Sequence, residues 1–170
     1  MSSSKPDWLK PFGIYWRAYG GWKALWTSPY VYASFVPFAA LVGLWFPDHE
    51  PEGRQWPLYA LSILPALISF SLGAMAIVFA MSSGAYLRLL HKSGAADSLF
   101  MKLVAVFFHF ILVQIVALLS ALYVLSFDHW IPSALAFWLL CYALMSGVAA
   151  AANLLLIADI KNQASVLDED

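Results

Sequence analysis

The sequence predicts an all-α integral membrane protein, a four-helix bundle preceded by an N-terminal amphipathic helix lying in the membrane interface. Three observations carry this. All nineteen charged side chains lie outside four windows, residues 24–47, 55–87, 103–127 and 129–158. Each window exceeds the ~20 apolar residues that cross a hydrocarbon core about 30 Å thick. The chain of 170 residues is 62% hydrophobic and 11% charged, where a soluble domain carries about 25% charged residues. Between Trp8 and Trp26, aromatic residues (Trp8, Phe12, Tyr15, Trp16, Tyr19, Trp22, Trp26) recur at one helical face, with Lys10, Gly13, Arg17 and Gly20 on the other.

Residues 1–27 therefore read as a cytoplasmic N-terminus with an interfacial helix, its tryptophans at headgroup level and its basic residues toward anionic lipid. The same stripe also suits an aromatic plug packed against the bundle. Gly20-Gly21 allows a bend, and Ser28-Pro29 reads as an N-cap with proline in first helical position. The four spans are expected at about 29–46, 57–81, 103–127 and 131–158, within a domain covering 28–160. Pro37 and Pro65 are kink sites in the first two. Asp48 to Gly53 form an acidic turn, and helix 2 runs from Trp56-Pro57 to about Lys92, roughly 54 Å at 1.5 Å per residue. Its excess length falls in a cytoplasmic connector, 82–102, with Ser93-Gly94 as a stop and Asp97 as the cap of helix 3. Asp128 is expected to cap helix 4, in a loop short enough to force an antiparallel hairpin. Residues 161–170 form an acidic tail that frays.

Basic residues set the orientation. Lys5, Lys10, Arg17 and Lys23 precede span 1, and Arg88, Lys92 and Lys102 lie between spans 2 and 3, whereas the connection after span 3 has neither Lys nor Arg. Both termini are expected in the cytoplasm. Met1 to Lys23 lacks the unbroken apolar core of a cleavable signal, so the first span is expected to act as a signal anchor.

Few residues suit chemistry. His109 lies deep in span 3 with Gln114 five residues on, about 140° around the helix, so the two do not form one site on an isolated helix. An intramembrane histidine reads as a proton sensor or lumen residue, or as a neutral group bonded to a neighbouring helix. Ser146 and Asn153 share a face of helix 4. They join His109 and Gln114 as polar intramembrane candidates. Ala143, Gly147 and Ala151 form a small-residue packing stripe, and Ser69 and Gly73 a shorter one on helix 2, for contacts between subunits or within one chain. Lys10, Arg17, Lys23, Arg88, His91, Lys92 and Lys102 are candidates for headgroup or partner binding. The single cysteine, Cys141, reads as a packing residue, and Asp128-His129 as a cap and interface anchor. Catalytic residues, metal site and cofactor are all expected to be absent: no phosphate loop, His-Glu-x-x-His helix or thiol pair occurs, and the four histidines fall at different depths or sides. A net charge of −1 predicts no nucleic-acid partner.

Ile63-Leu64-Pro65, Phe70 to Ala74 and Phe107 to Gln114 resemble small four-span membrane proteins of bacteria. The resemblance implies a bacterial inner-membrane protein of the size found in accessory or phage-defence operons, and supplies no catalytic residues. The expected function is a non-enzymatic homo-oligomer, channel-like or membrane-perturbing, with Gln114, Asn153 and His109 facing a space between subunits. The alternative is a membrane anchor or sensor recruiting a cytosolic protein through the basic connector and N-terminal helix. Secondary transport is disfavoured by the absence of internal repeat and buried charge.

Overall fold

A computed structural model describes residues 7–46, 54–81, 98–127 and 129–167. Among them every regular element is helical: after a short turn at Asp7–Leu9 come α1 (Lys10–Tyr19), α2 (Gly21–Thr27), α3 (Pro29–Ala40), α4 (Val42–Trp45), α5 (Trp56–Met81), α6 (Leu99–Ser126) and α7 (Trp130–Leu167). The acidic turn, the connector residues Arg88, His91 and Lys92, the Ser93-Gly94 stop, Asp97 and Asp128 lie outside the described residues.

Among the described residues three helices are long and apolar enough to cross a membrane, Trp56–Ala80, Leu99–Ser126 and Trp130–Asp159, with mean hydropathy of 2.2, 2.5 and 2.0. They pack in a row, α6 between α5 and α7, with α3 on the far side of α7. Lipid removes the hydrophobic drive between helices, so close van der Waals packing must hold them together. The seam shows how. Leu103, Phe107, Phe110, Ala117, Ala121 and Val124 of α6 are buried at three-, four- and seven-residue spacings, against Ala136, Ala143 and Ala150 of α7. At Gly147 a Cβ would lie 2.9 Å from the Phe110 ring, so only glycine admits that ring. Leu155, Phe70, Leu119 and other large apolar side chains face outward, as lipid-facing residues should.

The first expected span, 29–46, forms two helices instead of one. Pro37 is accommodated inside α3, and the break comes at Leu41, with φ −105° and ψ 30°. An unbroken helix would give the Phe38 carbonyl the Val42 N–H. Here the Trp45 indole takes that carbonyl at 3.0 Å and stacks on Phe38, ring centroids 4.6 Å apart. Ser28 occupies the N-cap position of α3 with Pro29 in first place, as expected, but its hydroxyl makes no cap hydrogen bond. The cap of α6 is Ser98, one residue after the expected Asp97. Its hydroxyl accepts from the Met101 N–H at 3.3 Å. At the start of α7, the described cap contact is His129 Nδ1 accepting from the Ile131 N–H. The last helix continues to Leu167, beyond the expected end near Ile160.

The N-terminal helices are not detached from the bundle. α1 packs against α6, and Gly20 and Gly21, at φ 97° and 65°, turn the chain into α2. A side chain at either position would be strained in this left-handed region.

Candidate functional site

Where α1 crosses α6, four rings from three helices converge. Tyr15 and Tyr19 lie one turn apart on α1 and therefore share its inward face. His109 is presented by α6, and Tyr142 by α7. The Tyr15 hydroxyl lies 2.7 Å from His109 Nδ1, and the Tyr142 hydroxyl 2.7 Å from His109 Nε2. Tyr19 stacks on the imidazole with ring centroids 4.2 Å apart.

This is a directional chain, Tyr15–His109–Tyr142. A neutral imidazole donates once and accepts once, so the chain is satisfied in either direction with no charge. Burial pushes the Tyr15 phenol up to about 12, the nearby Tyr19 adding to it, and burial also raises Tyr19, offset in part by the neighbouring Tyr142 hydroxyl. Both phenols are therefore neutral at ordinary pH.

Beside this chain lies a half-open cavity of about 270 Å³ at the junction of α1, α2, α3, α6 and α7. Tyr19, Ser28, Tyr30, His109, Ser146 and Asn153 supply its polar lining. Ser146 donates to the Ala143 carbonyl and Asn153 to the Ala149 carbonyl, which leaves Ser146 its lone pairs and Asn153 its amide oxygen and second N–H. Among the described residues no Asp, Glu, Lys or Arg lines the space. On the opposite flank of α1, Pro11, Ile14, Tyr15, Ala18, Met101, Val104, Ala105 and Phe108 line a second, apolar space of about 240 Å³.

The residues singled out in the sequence thus separate. His109, Ser146 and Asn153 come together in one cavity within a single chain. Gln114 is elsewhere, fully buried between α5 and α6, its amide 3.3 Å from the Ser71 hydroxyl. That hydroxyl already donates to the Leu67 carbonyl at 2.6 Å, so its proton is spent and Gln114 is better placed as donor, with the amide oxygen and nitrogen exchanged. Ala143 and Gly147 lie at the α6–α7 seam, whereas Ala151, Ser69 and Gly73 face outward, with no atom within 4 Å of a Cβ at Gly73. Lys10 pairs with Asp7 at 2.6 Å, and Arg17, Lys23 and Lys102 are exposed. Among the described residues no group of His, Cys, Asp and Glu is arranged to hold a metal. Cys141 is buried and free.

Tyr15 and Tyr19 are not legible in the sequence as polar partners, and Tyr142 and Ser71 were passed over. Tyr142 is detectable in retrospect, four and eleven residues before Ser146 and Asn153 on the same face of α7. Comparison of the chain with family models, curated proteins and solved structures finds no match.

Proposed function

We propose that this is a non-enzymatic, four-span inner-membrane protein acting as an anchor or sensor, with its N-terminal helix pair clamped at the cytoplasmic end of the bundle. One observation carries the reading: both ring nitrogens of His109 are engaged by hydroxyls of its own chain, from Tyr15 and Tyr142. α3 and α4 together span seventeen residues, Pro29 to Trp45, roughly 25 Å of helix, and supply the fourth crossing. They run beside the Trp130 half of α7, Phe46 near Trp130 and Phe35 near Trp138. A bilayer matched to α3–α4 leaves the end of α5, the start of α6 and the last turns of α7 at and beyond its cytoplasmic surface. There α1 and α2 lie at headgroup depth, with Trp8, Trp22 and Trp26 exposed beside Arg17 and Lys23, a face suited to lipid headgroups or a cytosolic protein. Lys10, Arg17, Lys23 and Lys102 all fall at this end, which is the cytoplasmic side by the positive-inside rule.

Reconstitution into dye-loaded vesicles tests the reading. An anchor leaves the membrane tight at high protein load, and a dye attached at Trp22→Cys in a Cys141→Ser background reports an interfacial environment. Leakage that scales with protein and changes in Asn153→Leu would support a channel-like homo-oligomer instead. The outward small residues Ser69 and Gly73 favour that second reading, since they offer close approach to another copy.

A further inference from the structure

We propose that the outward face of the N-terminal helix pair binds anionic phospholipid headgroups, with Arg17 and Lys23 as the cations that meet the phosphate and Trp22 and Trp26 as the rings that fix its depth. The inference deepens the proposed function and rests on α3–α4 being a membrane crossing.

Depth is set by the chain itself. Trp26 stands three residues before Pro29, the first residue of α3, and the Tyr32 hydroxyl reaches back from the first turn of that helix to donate to the Trp26 carbonyl at 2.7 Å. Trp22 lies one turn earlier on the same side of α2. Leu25, between them in sequence, packs on the core cluster that includes Val31 of α3, so α2 is held against the bundle at the level where the crossing begins. The Trp22 and Trp26 rings, 65% and 59% exposed, therefore sit where indoles partition, between hydrocarbon and water. A cytosolic protein would have to displace lipid from that level to reach them.

Charge then names the lipid. Residues 1–46 hold Lys5, Lys10, Arg17 and Lys23 against Asp7 alone, a net charge of +3 in a chain whose total is −1. Two of these cations are aimed by their helices. Arg17 is two residues from both Tyr15 and Tyr19, about 200° round α1 from each, and so points away from the face that docks on His109. Lys23 is likewise about 200° round α2 from the inward Leu25. The two are brought together by their neighbours: Trp16, next to Arg17, packs edge-on against Trp22, next to Lys23, with ring centroids 4.9 Å apart. Both cations are exposed, and among the described residues neither meets a carboxylate, whereas Lys10 pairs with Asp7. A guanidinium and an ammonium flanking one aromatic contact suit a phosphate diester whose chains enter the membrane below. A zwitterionic head brings the same phosphate with a cation that opposes the pair, so the anionic lipid is favoured.

The test uses full-length protein in nanodiscs of mixed phosphatidylglycerol and phosphatidylcholine, with a photoreactive headgroup analogue of each lipid and the labelled positions mapped within residues 17–27. At low salt the phosphatidylglycerol probe should label this segment about tenfold more than the phosphatidylcholine probe. The preference should fall toward parity at roughly 1 M salt, where charges are screened beyond about 3 Å. Arg17→Gln with Lys23→Gln should remove most of it, and Arg17→Lys with Lys23→Arg should keep it. Trp22→Ala with Trp26→Ala should instead lower labelling by both probes alike. Equal labelling by the two probes in the wild-type chain, or a preference that survives the double glutamine variant, would overturn the proposal. A dye at Trp22→Cys in a Cys141→Ser background separates the failures. An interfacial signal with equal labelling overturns only the choice of anionic lipid, whereas a dye in water overturns the placement at the membrane surface as well. A dye that leaves water only when a cytosolic protein fraction is added would assign the face to a protein and overturn the lipid.

Discussion

At the end of the bundle marked by Trp56, a buried indole and a buried hydroxyl are paired with each other; at the end marked by His109, polar groups are gathered around space. Trp56 is 2% exposed, and its indole donates to the Ser133 hydroxyl at 3.1 Å, tying the start of α5 to the start of α7. Phe137 packs edge-on to Trp56, and Ala60, Leu64, Ala121 and Ala136 fill what remains. The His109 end has two spaces of about 270 and 240 Å³, one on each flank of α1, whereas the space at the first end, about 460 Å³, is an outward groove between α6 and α7 lined mostly by apolar residues such as Pro132, Leu135 and Leu139. The difference separates a lock from a seat. Small alanines let α5, α6 and α7 close on one another at the first end, while at the second the bulky rings of Tyr15, Tyr19 and Tyr142 hold α1 off the bundle.

The largest effect is expected from breaking the lock. Trp56→Ala removes a buried aromatic and strands the Ser133 hydroxyl, and should cost about 3–5 kcal/mol in a reversible unfolding assay in detergent. Trp56→Phe, which loses only the hydrogen bond, should cost about 1 kcal/mol in the same assay. Next comes the seam that both ends share. Gly147→Ala places a methyl 2.9 Å from the Phe110 ring and should destabilise by about 1–3 kcal/mol, with Phe110→Leu in the same chain restoring part of the loss.

The seat should respond differently, through the position of α1 more than through global stability. Tyr15 holds its proton more tightly when docked than when free, so docking is unaffected by this phenol below pH 10 and weakens as pH rises from 10 to about 12. A spin label on α1 should gain mobility across that interval and show no transition between pH 5 and 9 from the phenols; Tyr15→Phe should diminish the transition. The smallest effect belongs to Gln114, whose bond to Ser71 is long. Ser71→Ala should cost about 0.6 kcal/mol, the mean for interhelical hydrogen bonds in lipid.

Legibility in the sequence follows the same division. The helices α5, α6 and α7 are readable because a charge-free window longer than a bilayer has few other uses. The break at Leu41 is not, because Pro37 points to a distortion in the preceding turn, while the observed rearrangement lies four residues later and depends on Trp45 reaching back to Phe38. Ser71 was within reach, since it shares a face with Leu64, Ala74 and Val78, the buried stripe of α5. The α1 contact was not, for a physical reason: an aromatic stripe looks the same whether its rings meet lipid or protein. The structure divides the stripe, Phe12, Tyr15 and Tyr19 against α6 and Trp8, Trp22 and Trp26 exposed, and that division depends on a partner 94 residues away in the chain. His109 could be singled out from sequence; its use could not.

The clamp is therefore the claim to test most directly. Phe12 and Phe108 sit with ring centroids 6.1 Å apart, so cysteines at these positions, in a Cys141→Ser background, lie within reach of a short bis-maleimide. In native membranes the wild-type His109 chain should cross-link efficiently, and His109→Phe should reduce the yield severalfold without loss of expression. No cross-link in either chain, or equal yields in both, would contradict a clamp that depends on the Tyr15–His109–Tyr142 chain.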